Sequence, residues 1–152
     1  MKTLCFFLLL SLPLIGLSQD DRFSGQELSV NGFRAPSIGL EYRAAVISLH
    51  IGYYITAFDP GITTKFAKVG ISVWFLPSGK EPIPSSFYAS LSFLKGLNLD
   101  YEGDNAFSFE TGYRWMAWKG LNFRLGAVAL VSPGHTFKLN PTPAIGYAVK
   151  LN

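Results

Sequence analysis

The chain has 152 residues, 49% of them hydrophobic, 15% aromatic and only 15% charged, with 13 Lys plus Arg against 10 Asp plus Glu and a single Cys. These values exclude a disordered chain and indicate one domain, while a charged fraction well below the roughly 25% of average soluble domains implies that part of the outer surface does not meet water. A net charge of +3 is too small to argue for nucleic acid as a partner.

Lys2, the apolar run from Leu4 to Leu17, and the small residues Gly16 and Ser18 predict a secretory signal peptide over residues 1–18, leaving 19–152 as the working domain. Cys5 lies at the start of the apolar run, whereas a lipid-anchoring cysteine must follow it, so no lipid anchor, disulfide or thiol chemistry is expected. Beyond Ser18 nothing approaches the ~20 unbroken apolar residues of a helical span. A closed barrel is then the one way this chain could cross a bilayer with every backbone group satisfied.

Gly25 to Arg34 is the first candidate strand, with Leu28 and Val30 alternating with Ser29 and Asn31. Ile38, Leu40 and Tyr42 oppose Gly39, Glu41 and Arg43 in the next. Ile47, Leu49, Ile51, Tyr53 and Ile55 then oppose Ser48, His50, Gly52 and Tyr54. The same period of two sets Val69, Ile71, Val73 and Phe75 against Lys68, Gly70, Ser72 and Trp74, and Phe87, Ala89, Leu91 and Phe93 against Tyr88, Ser90 and Ser92. Phe107, Phe109, Tyr113 and Trp115 oppose Ser108, Glu110, Gly112 and Arg114; Leu121 to Ala129 alternates against Asn122, Arg124 and Gly126. Ile145, Tyr147, Val149 and Leu151 oppose Ala144, Gly146, Ala148 and Lys150 in the last.

Gly39, Gly52, Gly70, Gly112, Gly126 and Gly146 all fall on the polar face, where a small barrel is crowded and must bend. The apolar face is bulky, with Phe75, Trp115 and Trp118 near strand ends as an aromatic girdle would be. The expected fold is therefore all-β: an antiparallel up-and-down transmembrane barrel of about eight strands, apolar face outward. A secreted lipocalin-like barrel is the competing reading, and it would leave too few charges for a soluble surface. Expected connections on the periplasmic side are Ala44 with Ala45, Pro77 to Pro84, and Lys119 with Gly120. On the other side they are Ala35 to Ser37, Phe58 to Thr64, Lys95 to Asn105, and Ser132 to Asn140.

The segments Gly39-Leu40-Glu41-Tyr42-Arg43, Glu110-Thr111-Gly112-Tyr113-Arg114-Trp115 and Gly146-Tyr147-Ala148-Val149-Lys150-Leu151 resemble the small eight-stranded outer-membrane β-barrel family, broadly including the OmpA transmembrane domain, OmpX and OmpW-like proteins. The closing run is similar to the terminal signal read by the barrel-assembly machinery, with Leu151 and Asn152 where that family usually ends on an aromatic. The resemblance implies an architecture, a bacterial outer-membrane location and an insertion route rather than an activity. Outer-membrane lipids and the assembly machinery are the implied partners, with the external ligand unspecified.

On this reading Glu41, Arg43, His50, Lys68, Glu110, Arg114, Arg124 and Lys150 point into the lumen. Eight strands leave room only for side chains, so these groups are expected to meet one another, with Glu41 and Glu110 as the only carboxylates, each shared among Arg43, Arg114 and Arg124. Such a network fixes register and closure; five bases facing two acids also admit a gate or an anion site, although Lys68 and Lys150 can instead reach water at the strand ends, and a narrow pore is a separate reading. His50 near Ser48, Ser90 or Glu110 admits a hydrolase acting on envelope lipids, although no nucleophile motif is present. The reading favours a protein without catalytic residues or cofactor. Asp100, Glu102 and Asp104 are weak candidates for a divalent cation in an external loop, and His135 lacks a second ligand of suitable spacing.

Overall fold

The computed structural model describes residues 23, 25–33, 37–59, 62–80 and 82–151. The proposed signal peptide, residues 1–18, and the expected turn at 35–36 lie outside these residues. Among the described residues there are nine strands: β1 (Gln26–Phe33), β2 (Ile38–Ala44), β3 (Ile47–Asp59), β4 (Ile62–Ser78), β5 (Ser85–Gly96), β6 (Asn105–Trp118), β7 (Leu121–Val131), β8 (Lys138–Pro141) and β9 (Ala144–Leu151). Each pairs antiparallel with its neighbours, β6 also pairs with β7, and β1 pairs with β9 from Gln26↔Leu151 to Phe33↔Ala144, so the sheet closes on itself.

The nine strands make eight staves. Ala127↔Pro141 continues the register of Arg124↔Ala144 along β7, so β8 and β9 are one stave. It is interrupted at Thr142 and Pro143. Pro143 has no N–H to give a ladder, while Thr142 still donates its own to the Gly126 carbonyl at 2.9 Å.

The alternation read from the sequence matches the two surfaces of the barrel. Glu27, Ser29, Glu41, Arg43, Ser48, Ser72, Ser90, Ser108 and Arg114 are buried, while Leu28, Leu40, Leu49, Ile51, Ile71, Leu91, Phe109, Leu125 and Val149 are exposed. Aromatic side chains join across the strands on the outside, Phe75 with Phe87, Phe87 with Tyr113, and Trp115 with Phe123. Glycines face one another at two places in the wall. Gly39 pairs with Gly52 and Gly112 with Gly126, two sites half a turn of the barrel apart. A Cβ on Gly52 would stand 2.9 Å from the Gly39 Cα, and one on Gly112 would stand 2.7 Å from the Gly126 Cα. A side chain at Gly52, Gly112 or Gly126 would press on facing backbone, while Gly39 has ordinary room.

Several expected connections are shorter than the sequence suggested. Phe58 to Thr64 is not a long loop, because the ladder continues to Asp59↔Ile62. Ser132 to Asn140 shortens to 132–137, because β8 takes up its end. The first turn is Ala45 with Val46 rather than Ala44 with Ala45, and β4 extends to Ser78 through a bulge between Phe75 and Ser78 that holds Pro77. Polar or proline-bearing strand ends read as loops in the sequence. Where the ladder runs past the apolar band it needs no greasy outer face.

Candidate functional site

The lumen is stacked in layers, lowest at the end carrying the 45–46 and 119–120 turns. In the lowest layer Glu27 accepts from two arginines: Arg43 through Nη2 at 2.6 Å and Nε at 2.9 Å, and Arg114 through Nη1 at 2.5 Å. Arg43 also donates to the Ala45 carbonyl at 2.7 Å, and Arg114 to the Pro84 carbonyl at 3.2 Å. Arg114 is wholly buried, as is Glu27 to within 1%, so the carboxylate and both guanidiniums depend on these bonds.

Above them lies Trp74. The Arg114 guanidinium lies 4.2 Å from its ring centre and that of Arg124 5.1 Å, within cation–π range. Its indole N–H donates to Ser48 Oγ at 2.9 Å, and Ser48 donates in turn to Glu41. Glu41 also accepts from Arg124 Nη1 at 2.8 Å and Asn31 Nδ2 at 3.2 Å.

In the next layer Glu110 accepts from Lys68 Nζ at 3.0 Å and the Tyr88 hydroxyl at 2.8 Å. His50 sits between Ser92 Oγ, 2.9 Å from Nε2, and Ser72 Oγ, 3.2 Å from Nδ1; Ser90 donates to Ser72 at 2.7 Å. A cavity of about 100 Å³ lies here, with Glu41, His50, Lys68, Tyr88, Glu110 and Arg124 among its walls. It has room for a few waters, and these charged and hydroxyl groups can bind them.

The far end is closed by an apolar cluster of Tyr54, Phe66, Leu94, Tyr101, Ala106 and Leu130. Tyr101 comes from the 97–104 connection, whose 3-10 turn Leu99–Tyr101 folds back over the mouth. Its ring meets Phe66 edge-on at 5.3 Å and stacks on His135 at 4.0 Å.

Each residue expected in the lumen can now be placed. Glu41, Arg43, His50, Lys68, Glu110, Arg114 and Arg124 are inside. Lys150 is not: its side chain is exposed at the lower rim. The expected sharing of Glu41 and Glu110 among Arg43, Arg114 and Arg124 is corrected, because Glu27 is a third lumenal carboxylate and takes Arg43 and Arg114. Among the described bases Arg124 pairs with Glu41, and Lys68 pairs with Glu110. Four bases therefore face three acids, which reduces the cationic excess that suggested a gate or an anion site. His50 lies against Ser72 and Ser92 rather than Ser48 or Ser90.

Asp100, Glu102 and Asp104 do not converge, and among the described residues no group of three or more His, Cys, Asp or Glu could hold a metal ion. Asp104 accepts from or is bridged to His135 Nε2 at 2.9 Å. Trp74 and Tyr88, which the period placed on the polar face, prove to be its central packing elements.

No family model and no curated protein matches this chain. Among solved structures it is similar to a chain described as "De novo design of transmembrane beta-barrels", at 16% identity and a TM-score of 0.48, over 86% of this chain and 99% of that one. The fold assignment rests on the closed strand pairing itself.

Proposed function

We propose that this chain is an integral protein of a bacterial outer membrane, exported by residues 1–18 and allied in architecture and insertion route to the small eight-stranded family that includes the OmpA transmembrane domain, OmpX and OmpW-like proteins. The observation that carries this reading is the inversion of the two faces. Carboxylates, guanidiniums and serines fill the inside, while Leu, Ile, Val and aromatic side chains cover the outside. Exposed apolar surface on this scale needs a partner, and hydrocarbon fits a band that encircles the barrel.

The dimensions agree. On β4 the outward residues Ala67, Val69, Ile71, Val73 and Phe75 carry no charge, and Lys65 lies just beyond them. Nine residues at ~3.4 Å each, tilted by about 40°, give a height on the order of 20 Å, close to the roughly 25 Å apolar band of such barrels. Trp115, Trp118, Phe123 and Tyr147 stand exposed toward the lower end of the barrel, where interfacial aromatics belong.

In this reading the protein is not an enzyme and uses no cofactor. Its paired lumenal charges act as a brace that holds the closed wall, and its outer connections are free to contact a surface ligand or neighbouring lipid. Outer-membrane lipids and the assembly machinery that reads the closing run are its partners, with no role for nucleic acid. Fractionation tests the reading: the protein is expected with outer membranes, resistant to alkaline carbonate, with heat-modifiable gel mobility and no steady conductance in planar bilayers. Recovery as a freely dissolved monomer without surfactant would overturn it.

A further inference from the structure

At the lower rim a groove of about 330 Å³ opens between the Pro82–Ile83 segment and β9, within the size range of small-molecule sites, roughly 300–1,000 Å³. Its floor is Ile83 and Met116, part of a buried apolar cluster with Ala148. Trp118 and Tyr147, both exposed, form its sides, and among the described residues its charged lining residues are Lys119 and Lys150.

The backbone joins the two segments that carry these lysines. Lys119 and Gly120 form a two-residue turn with φ of 42° and 96°, and the Ala148 N–H donates to the Gly120 carbonyl at 2.8 Å, fastening that turn to β9, the strand that carries Lys150. Lys119 Nζ lies 5.1 Å from the Trp118 ring centre. Among the described residues no carboxylate pairs with either lysine. Two ammonium groups next to aromatic and aliphatic walls complement an amphiphile with an anionic head.

We propose that this groove holds the headgroup of an anionic glycerophospholipid, its phosphodiester between Lys119 and Lys150 and its first acyl carbons against Trp118 and Tyr147. The inference rests on the membrane-spanning reading given above. Tyr147 shares the outward face of β9 with Ile145 and Val149, so the groove runs into the apolar band, which suits a lipid better than a free phosphate. A zwitterionic headgroup would bring its own ammonium against the two lysines, so the charge favours a head that is anionic overall.

The test uses the whole chain reconstituted into phosphatidylcholine vesicles with and without phosphatidylglycerol, scored first for resistance to alkaline carbonate. It is then extracted in mild detergent for native mass spectrometry. Wild-type protein is expected to insert into both vesicles and to retain one phosphatidylglycerol. Lys119→Gln and Lys150→Gln should insert equally well, each weakening retention about fivefold. Equal retention of phosphatidylcholine, no retained lipid, or unchanged retention in the double variant would overturn the inference while leaving the membrane reading intact. Displacement of phosphatidylglycerol by millimolar inorganic phosphate would mark a simple phosphate site and also overturn it. Failure to insert into either vesicle defeats the membrane reading itself, and the lipid site with it.

Discussion

Glu27 on β1 and Arg114 on β6 are 87 positions apart in the chain, yet their side chains meet at 2.5 Å across the lumen. The same carboxylate holds Arg43 of β2, so one acid ties together three staves, one of them from across the barrel.

Glu27→Gln should therefore be the most damaging single change in the lumen. It keeps the shape and leaves two buried guanidiniums without their counter-charge, a loss on the order of 3–5 kcal/mol. The temperature at which gel mobility shifts to the unfolded position in detergent measures it. Glu110→Gln should lower that temperature less, because Lys68 borders a cavity that can admit water. Equal effects would show that the Glu27 layer is not the principal brace.

Gly112→Val tests closure independently of charge. Its Cβ would crowd the Gly126 Cα at 2.7 Å, and backbone on the facing strand cannot turn aside as a flexible side chain can. A loss of about 1–3 kcal/mol is expected, seen as a lower yield of the compact band on refolding.

Leu49→Arg tests the outward face. Leu49 is 60% exposed and lies on β3 opposite Tyr42 and Ile71. A charge placed there should cost roughly 2–4 kcal/mol in a bilayer if it lies near the midplane, and refolding into vesicles should report it. In a protein that folds in water the same substitution would be nearly neutral.

Tyr101→Ala removes the ring that closes the far mouth against Phe66 and His135. Losing a buried aromatic costs roughly 3–5 kcal/mol where the site cannot collapse. The amide of Gly96, which donates to the Asp104 carbonyl at 2.9 Å, should also exchange faster with solvent.

The strands, their faces and the closed form were legible because one surface is greasy and the other polar along nearly every stave, and such a pattern survives without knowledge of partners. Glu27 could have been found too. It shares a face with Ser29 and Asn31, and extending the alternation of Leu28 and Val30 by one step would have placed it inside. Who pairs with whom was not legible, since Arg114 reaches Glu27 only after the wall has curved round. Strand ends such as Thr63 and Thr64 read as loop because they stand beyond the apolar band. β8 was hidden by the prolines at 141 and 143, and the covering role of Tyr101 depends on how its connection folds back.

The seam between β1 and β9 has one more implication. Its partners include Gln26 and Leu151, so the wall has nothing to shut against until the last stave has been delivered. Long-range closure of this kind is slow, and until it happens every upstream stave travels with its oily and its ionic sides both uncovered. A chain cut at 143 would not be a barrel missing its tail. It would be an open sheet with two raw edges, a substrate for aggregation or proteolysis rather than for insertion.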